Sequence, residues 1–299
     1  MERLLAIVNP AAGGGGGKKE GEKAIGRFRS AGFSVEVAET SRPGDASRIA
    51  TEAYANGERN FVSVGGDGTG FEIVNGLFPV ATEKQERPSL GFVPVGTGNS
   101  FLRDFTNAGT QYAIDSIVSH KKRSCDVLRV RHTEGTLYFL NLLTIGFAAE
   151  VAALRNRRFT ALGEFGYILA TFAKLATLDS HPIPFRVDDA PFDREPVTFI
   201  SINNSRYTGG HMLMAPEADT SDGYADLIRV APLGRLALVR AFPRIFKGTH
   251  TLLPAVTCRR VKRIDFDLDR KVVVQIDGET LTLQPERVDV MPSALEVCA

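Results

Sequence analysis

Three short apolar runs in the first hundred residues each end in a glycine-bearing turn, and this recurrence constrains the fold most tightly. Residues 4–8 lead into Asn9-Pro10-Ala11-Ala12-Gly13, residues 61–64 into Gly65-Gly66-Asp67-Gly68-Thr69, and residues 90–93 into Pro94-Val95-Gly96-Thr97-Gly98-Asn99. Between them, apolar residues recur at helical spacing: Ala24, Ile25 and Phe28, then Ile49, Ala50 and Ala53 after a further apolar run at 35–37, then a helical pattern ending near Leu77. Helical segments continue to about His120. Such alternation predicts a parallel sheet with helices on both faces, a Rossmann-like α/β domain. In that architecture the three turns fall at the carboxyl ends of the strands, along the edge where open α/β sheets bind ligands.

Beyond Arg123 the rhythm changes. Strand patterns at 127–130, 137–145, 197–202, 225–230, 264–268, 272–276 and 287–291 are interrupted by helical patterns only at about 163–178 and 233–246. This reads as an antiparallel β-sandwich, so the expected organisation is an α/β domain over 1–124 and a sandwich domain over 125–299. Charge bears on partners: the formal net charge is +1, and basic and acidic residues balance in each half, which argues against general nucleic-acid binding. The three cysteines, Cys125, Cys258 and Cys298, show no C-x-x-C spacing and read as reduced thiols of a cytoplasmic protein. The run at 4–8 is too short for a signal-peptide core. The uncharged stretch 135–149 falls short of the ~20 residues of a spanning helix.

Glycines after a strand let backbone N–H groups approach phosphate oxygens, and a following helix adds its positive end. The known fingerprints fail in detail: the 13–19 stretch has Ala12 where a P-loop needs glycine and Lys19 where it needs Ser or Thr, and no complete G-x-G-x-x-G follows a strand. Asp67, set between glycines, suits either a magnesium ion with its water shell or a helix N-cap. In the second part, Asp219-Thr220-Ser221-Asp222-Gly223-Tyr224 reads as an acidic turn or a hard-cation loop. Asp277-Gly278-Glu279, between two strand patterns, reads by itself as a tight hairpin connection. The five histidines form no metal-binding or catalytic pattern and are assigned no chemistry.

The Gly65-Gly66-Asp67-Gly68-Thr69 turn resembles one shared by diacylglycerol kinases, sphingosine kinases, NAD kinases and phosphofructokinases. Together with Asn9-Pro10, Pro94-x-Gly96-Thr97-Gly98-Asn99 and Asp277-Gly278-Glu279 it resembles the lipid kinases, nearly end to end. The resemblance implies ATP as phosphoryl donor, Mg2+, and a lipid hydroxyl as acceptor. It places nucleotide contacts at Asn9, Pro10, Ala11, Ala12, Gly13, Thr40, Gly66, Asp67, Gly68, Thr69, Gly70, Phe71, Glu72 and Thr97. It also implies a structural magnesium at Asp219, Asp222 and Tyr224, and a catalytic pair in which Glu279 is the base with Asp277 beside it. Two positions depart from the pattern: Phe71 stands where the family commonly has Asn, and Ser100 where many bacterial diacylglycerol kinases have Asp. The second leaves a sphingoid base or another lipid alcohol open as substrate. The rival readings are an NAD-kinase-like enzyme and a non-catalytic lipid or nucleotide binder. A homodimer stays open.

Residues 233–247 form one further pattern. On a helical wheel Leu238, Val239, Phe242, Ile245 and Phe246 share one face, and Arg240, Arg244 and Lys247 the other. This is either a helix packed on the sandwich and bent at Pro243, or a basic surface that docks peripherally on anionic membrane.

Overall fold

The apolar runs of the first part are buried because helices cover both faces of the sheet they form. In the computed structural model, which describes residues 2–95, 99–106, 109–159, 162 and 165–299, strands β1 (Arg3–Val8), β2 (Ser34–Glu39), β3 (Asn60–Gly65) and β4 (Ser89–Pro94) are parallel, in the order β2-β1-β3-β4. Helices α1 (Gly17–Ser30) and α4 (Gly109–Val118) pack together, as do α2 (Asp45–Ala55) and α3 (Asp67–Lys84). Alternate strand residues Leu4, Ala6, Val8, Val62 and Val64 meet Ala24, Ile25 and Phe28 of α1 and Ile114 and Ile117 of α4. The α2–α3 crossing depends on Gly76: a Cβ there would stand 2.2 Å from the Ser47 carbonyl oxygen. Thr51 Oγ1 donates to the Gly76 carbonyl at 2.8 Å across the same contact.

The second unit, Asp126–Pro292, is antiparallel. From β5 (Lys122–His132) the chain turns into β6 (Gly135–Phe139) and then β7 (Leu142–Gly146), followed by α5 (Phe147–Arg158) and α6 (Phe165–Leu175). Short strands β8 (His181–Pro182) and β10 (Pro196–Val197) pair, as do β12 (Tyr207–Thr208) and β13 (Met212–Leu213). Six strands form the main sheet, β15 (Val256–Val261), β14 (Ala225–Val230), β11 (Phe199–Asn203), β7, β17 (Val272–Ile276) and β18 (Glu279–Leu283), in that order. A second set joins β9 (Phe185–Val187) to β16 (Arg263–Phe266) and β16 to the first part of β19 (Pro285–Cys298), which also pairs with β5. One apolar cluster joins Phe147 and Val151 of α5, Leu175 of α6, Phe199 and Ile228 of the main sheet, and Leu238.

Three expectations change. The single strand at 137–145 is two strands in different sheets, parted at Leu140 and Asn141; both halves are buried, so hydropathy carries no sign of the break. The helix at 233–246 stops at Ala241, where Pro243 turns the chain into a 3-10 segment, Phe242–Lys247. That turn leaves Phe246 exposed, off the packed face that keeps Leu238 and Ile245. Finally, Ser293–Ala299 belongs to the first unit with Met1–Cys125, because Glu296, Val297 and Cys298 pair in parallel with Ser89, Leu90 and Gly91 of β4. Among the described residues no helix is long and apolar enough to cross a membrane.

Candidate active site

The turn after β1 is built so that only glycine fits its tightest points. Gly13, Gly14 and Gly15 have φ of 60°, 69° and 98°, and a Cβ on Gly13 would stand 2.3 Å from the Val95 carbonyl oxygen. Pro10, Ala11 and Ala12 complete this turn, which runs into the N-terminus of α1. Asn9 ties it to the next one: Oδ1 accepts from Ala11 N at 3.1 Å, and Nδ2 donates to Thr69 Oγ1 at 3.3 Å. Gly66, Gly68, Thr69, Gly70 and Phe71 lie at the start of α3, whose first residue is Asp67. Two helix N-termini thus stand at the ends of neighbouring strands β1 and β3, each favouring an anion.

Asp67 lies beside the 3-10 turn Phe101–Asp104. Its Oδ2 accepts from Ser100 N at 3.2 Å. Burial pushes the carboxyl up to about 6, against the pull of the Ser100 and Phe101 N–H groups and of the Arg103 guanidinium. Ser100, in place of an acid, puts no second carboxylate there. Arg103 was not singled out from the sequence; its Nε is buried without a partner among the described residues, and its only sequence signal is its place four residues after Asn99.

Thr40 closes the end of β2, its N–H donating to the Val8 carbonyl at 2.9 Å. The turn after it is held by two carboxylates. Asp45 Oδ2 accepts from Ser41 N, Ser41 Oγ and Arg42 N at 2.9, 2.7 and 3.2 Å, and the Ser41 bonds above all hold its carboxyl down at about 2. Glu72 reaches over from α3 to accept from Gly44 N at 2.9 Å and Ala46 N at 3.2 Å. Glu72, expected among the nucleotide contacts, therefore caps α2. Thr97 lies outside the described residues.

In the second unit the Asp277–Gly278 pair is a two-residue turn, with φ of 48° and 92°, joining β17 to β18. Asp277 is 6% exposed and its oxygens accept from Leu140 N at 2.8 Å, Asn141 N at 2.9 Å and Leu142 N at 3.0 Å. It anchors the break between β6 and β7. Glu279 is exposed, and Asn156 of α5 steadies its turn through the Gly278 carbonyl at 2.9 Å and Thr280 Oγ1 at 3.2 Å.

The Asp219–Tyr224 loop satisfies itself differently from a carboxylate cage. Asp219 Oδ1 accepts from Ser221 N and Oγ at 2.9 and 2.8 Å, Asp222 Oδ1 accepts from Tyr224 N at 2.9 Å, and Asp222 Oδ2 pairs with Arg260. The Tyr224 ring lies under Arg260. Among the described residues no three His, Cys, Asp or Glu side chains meet as a metal site. Of the groups expected to hold magnesium there, the Asp219 and Tyr224 backbone carbonyls and the Asp222 carboxylate, the carboxylate is engaged by Tyr224 N–H and Arg260. Nearby Asp226 is pushed up to about 6, first by burial and then by the charge of Asp222.

The second unit also holds a cavity of about 100 Å³, walled by Phe147, Val151, Phe199, Leu238 and Phe242, with no Asp, Glu, Lys or Arg in its lining.

An α/β unit with glycine turns at two helix N-termini, together with an antiparallel unit that holds a half-open apolar pocket, has the parts that a kinase acting on lipids needs. Residues 3–130 match the model of the diacylglycerol kinase catalytic domain, and residues 141–299 that of the YegS C-terminal NAD kinase beta sandwich-like domain. The chain belongs to the diacylglycerol kinase family and is a kinase. It is 30% identical to a diacylglycerol kinase of Mycobacterium tuberculosis, over 99% of this chain and 94% of that one. Identity is 28% to a diacylglycerol kinase of Bacillus subtilis, over 93% and 90% respectively. A crystal structure of a diacylglycerol kinase from Bacillus anthracis shares the fold, with TM-score 0.74 at 22% identity over 99% and 96% of the two chains.

Proposed function

We propose that this kinase transfers the γ-phosphoryl group of ATP to a hydroxyl of a lipid of the diacylglycerol type. The observation that carries the lipid half is the cavity: an uncharged, largely apolar wall inside the second unit suits a stretch of hydrocarbon and offers no cation to the phosphates of a dinucleotide. This favours lipid over an NAD-kinase-like substrate. A kinase family implies ATP, and the nucleotide half rests on the Gly13 and Gly66 turns, where backbone N–H groups and two helix N-termini face one strand edge. Arg103 adds a cation for the phosphates.

Asp67 fits magnesium, since one carboxylate with water and phosphate oxygens is the usual magnesium arrangement. When bound, the ion neutralises charge on the transferred group. Glu279 accepts the proton of the lipid hydroxyl, because its side chain is exposed while the Asp277 carboxylate is buried on three backbone N–H groups. Asp277 and Asn156 fix the turn that carries it.

The surface of α7 (Arg235–Ala241) and the 3-10 segment after it supplies a peripheral membrane contact on the cytoplasmic side. Arg240, Arg244 and Lys247 are exposed there with Leu236 and Phe246. Each basic side chain contributes about 1 kcal/mol near an anionic surface. The test is phosphate transfer from labelled ATP to a panel of diacylglycerols, monoacylglycerols and sphingoid bases, with NAD as control. An organic-extractable product is expected; labelled NADP would overturn the reading.

A further inference from the structure

Helix α6 presents an apolar face to water. At about 100° per residue, Gly166, Ala170, Thr171 and Leu175 take its buried side, and Phe165, Leu169, Phe172 and Ala173 fall on the opposite one. Phe165 is 58% exposed and Phe172 54%, Ala173 is exposed, and Leu169 is half-buried. A surface helix ordinarily carries its polar residues on that arc. Here the only charged residue of the helix, Lys174, lies on the other side and pairs with Glu150 of α5 at 3.1 Å.

Basic residues stand at both ends of the helix. Its start meets the end of α5, since a Cβ on Gly166 would stand 2.5 Å from the Phe159 carbonyl oxygen, and the two residues before Phe159, Arg157 and Arg158, are exposed. Just past its other end, Arg235 of α7 donates through Nη2 to the Ala176 carbonyl at 2.8 Å, with Leu236, also exposed, beside it. An apolar centre flanked by guanidinium groups fits an anionic bilayer, in which the rings sink about 5–10 Å and the arginines stay among the phosphates. A second copy of this chain docked symmetrically on the same face would instead set these arginines against one another.

We propose that α6 inserts into the membrane, lying in the plane of the interface with Phe165 and Phe172 among the acyl chains. Tyr167 and Thr171 of the same helix are among the residues that line the cavity, so insertion brings the cavity to the acyl layer, and the substrate enters from there. This adds an inserted element to the electrostatic contact of Arg240, Arg244 and Lys247, and it rests on the reading of the chain as a kinase of bilayer lipids.

The chain has no tryptophan, so Phe172→Trp supplies a single reporter in the full chain. With vesicles of phosphatidylglycerol and phosphatidylcholine its emission should shift to the blue, and lipids brominated near the top of the acyl chain should quench it. Phe165→Ser combined with Phe172→Ser should weaken vesicle sedimentation by about tenfold or more and lower kcat/KM on bilayer-held diacylglycerol by a similar factor. On a short-chain soluble diacylglycerol kcat/KM should stay within about twofold of wild type, and the unfolding midpoint should not fall, because both rings are exposed. The proposal is overturned if the emission stays unshifted with vesicles, if the double variant binds vesicles as wild type does, or if the emission is already blue and concentration-dependent without them, as a second copy covering the face would make it. Failure to phosphorylate any lipid would instead sink the lipid-kinase reading, and the emission shift would still decide whether α6 inserts.

Discussion

Glu279→Gln should abolish most lipid phosphorylation while leaving the unfolding midpoint unchanged, because the side chain is exposed on a turn that others hold. Asp277→Asn should behave oppositely in stability. It replaces a carboxylate that accepts three backbone N–H groups, so a loss of about 3 kcal/mol or more is expected in urea unfolding. An Asp277→Asn protein with wild-type stability and no activity would make Asp277 the base. The motif was legible in the sequence, but the anchoring of Asp277 was not, since the amides that claim it lie 135 to 137 positions away along the chain. Glu72 shows the same limit, as its two partners are 28 and 26 residues off. Asp67 carries a pH signature. Its carboxyl is raised from 3.8 to about 6 by burial, so the folded state holds the proton more tightly than the unfolded one. The stability of the protonated form is complete below about 3.8 and is lost as pH rises through 6. Asp67→Asn removes that loss. We expect it to be more stable than wild type at pH 7.5 by about 1–3 kcal/mol, to match wild type near pH 4, and to lose at least about a hundredfold in turnover. A mutant less stable at pH 7.5 than at pH 4, relative to wild type, would contradict the burial argument.

At the scale of elements, the parallel strands β1, β3 and β4 were legible because both faces are covered and the sequence runs apolar without alternation. The same property hid the division of β6 from β7. Helix pairing was hidden too, because nothing in the pattern marks Gly76 as the point where α2 and α3 touch. A methyl group at that position meets backbone at 2.2 Å, which cannot yield as a side chain could. Gly76→Ala should therefore lower stability by about 1–3 kcal/mol despite alanine's better helix propensity. A stabilised mutant in thermal unfolding would refute the close crossing. For α7 and its 3-10 extension, where packing and docking both stood open, Leu238 and Ile245 are packed, while Pro243 turned Phe246 outward. Replacing Arg240, Arg244 and Lys247 together by Gln should weaken sedimentation with vesicles containing phosphatidylserine and spare activity on a short-chain soluble lipid. Unchanged vesicle binding would leave the segment as scaffold only.

At the scale of the whole molecule, the change of rhythm near Arg123 was visible because parallel and antiparallel sheets impose different spacing on their apolar residues. The return of the C-terminus was not, since the last strand pattern ended at 291 and everything after 125 was assigned to the sandwich. Their contribution is specific to the first unit. Glu296, Val297 and Cys298 pair with Ser89, Leu90 and Gly91, Leu295 and Val297 are fully buried, and Lys122 meets Glu296 at 3.2 Å. Without them β4 becomes an edge strand with one side of its backbone unpaired, next to the turn that begins at Pro94. A chain stopped after Pro292 should therefore lose order first in the α/β unit: amide exchange at Leu90 and Gly91 should quicken, and ATP affinity should fall by more than about tenfold. The six-stranded sheet draws none of its strands from these residues, so amides of β7, β11 and β17 should keep their protection. Equal loss of protection in both units would show that the C-terminal strand supports the chain as one cooperative body, and unchanged exchange at Leu90 and Gly91 would show that β4 stands without it.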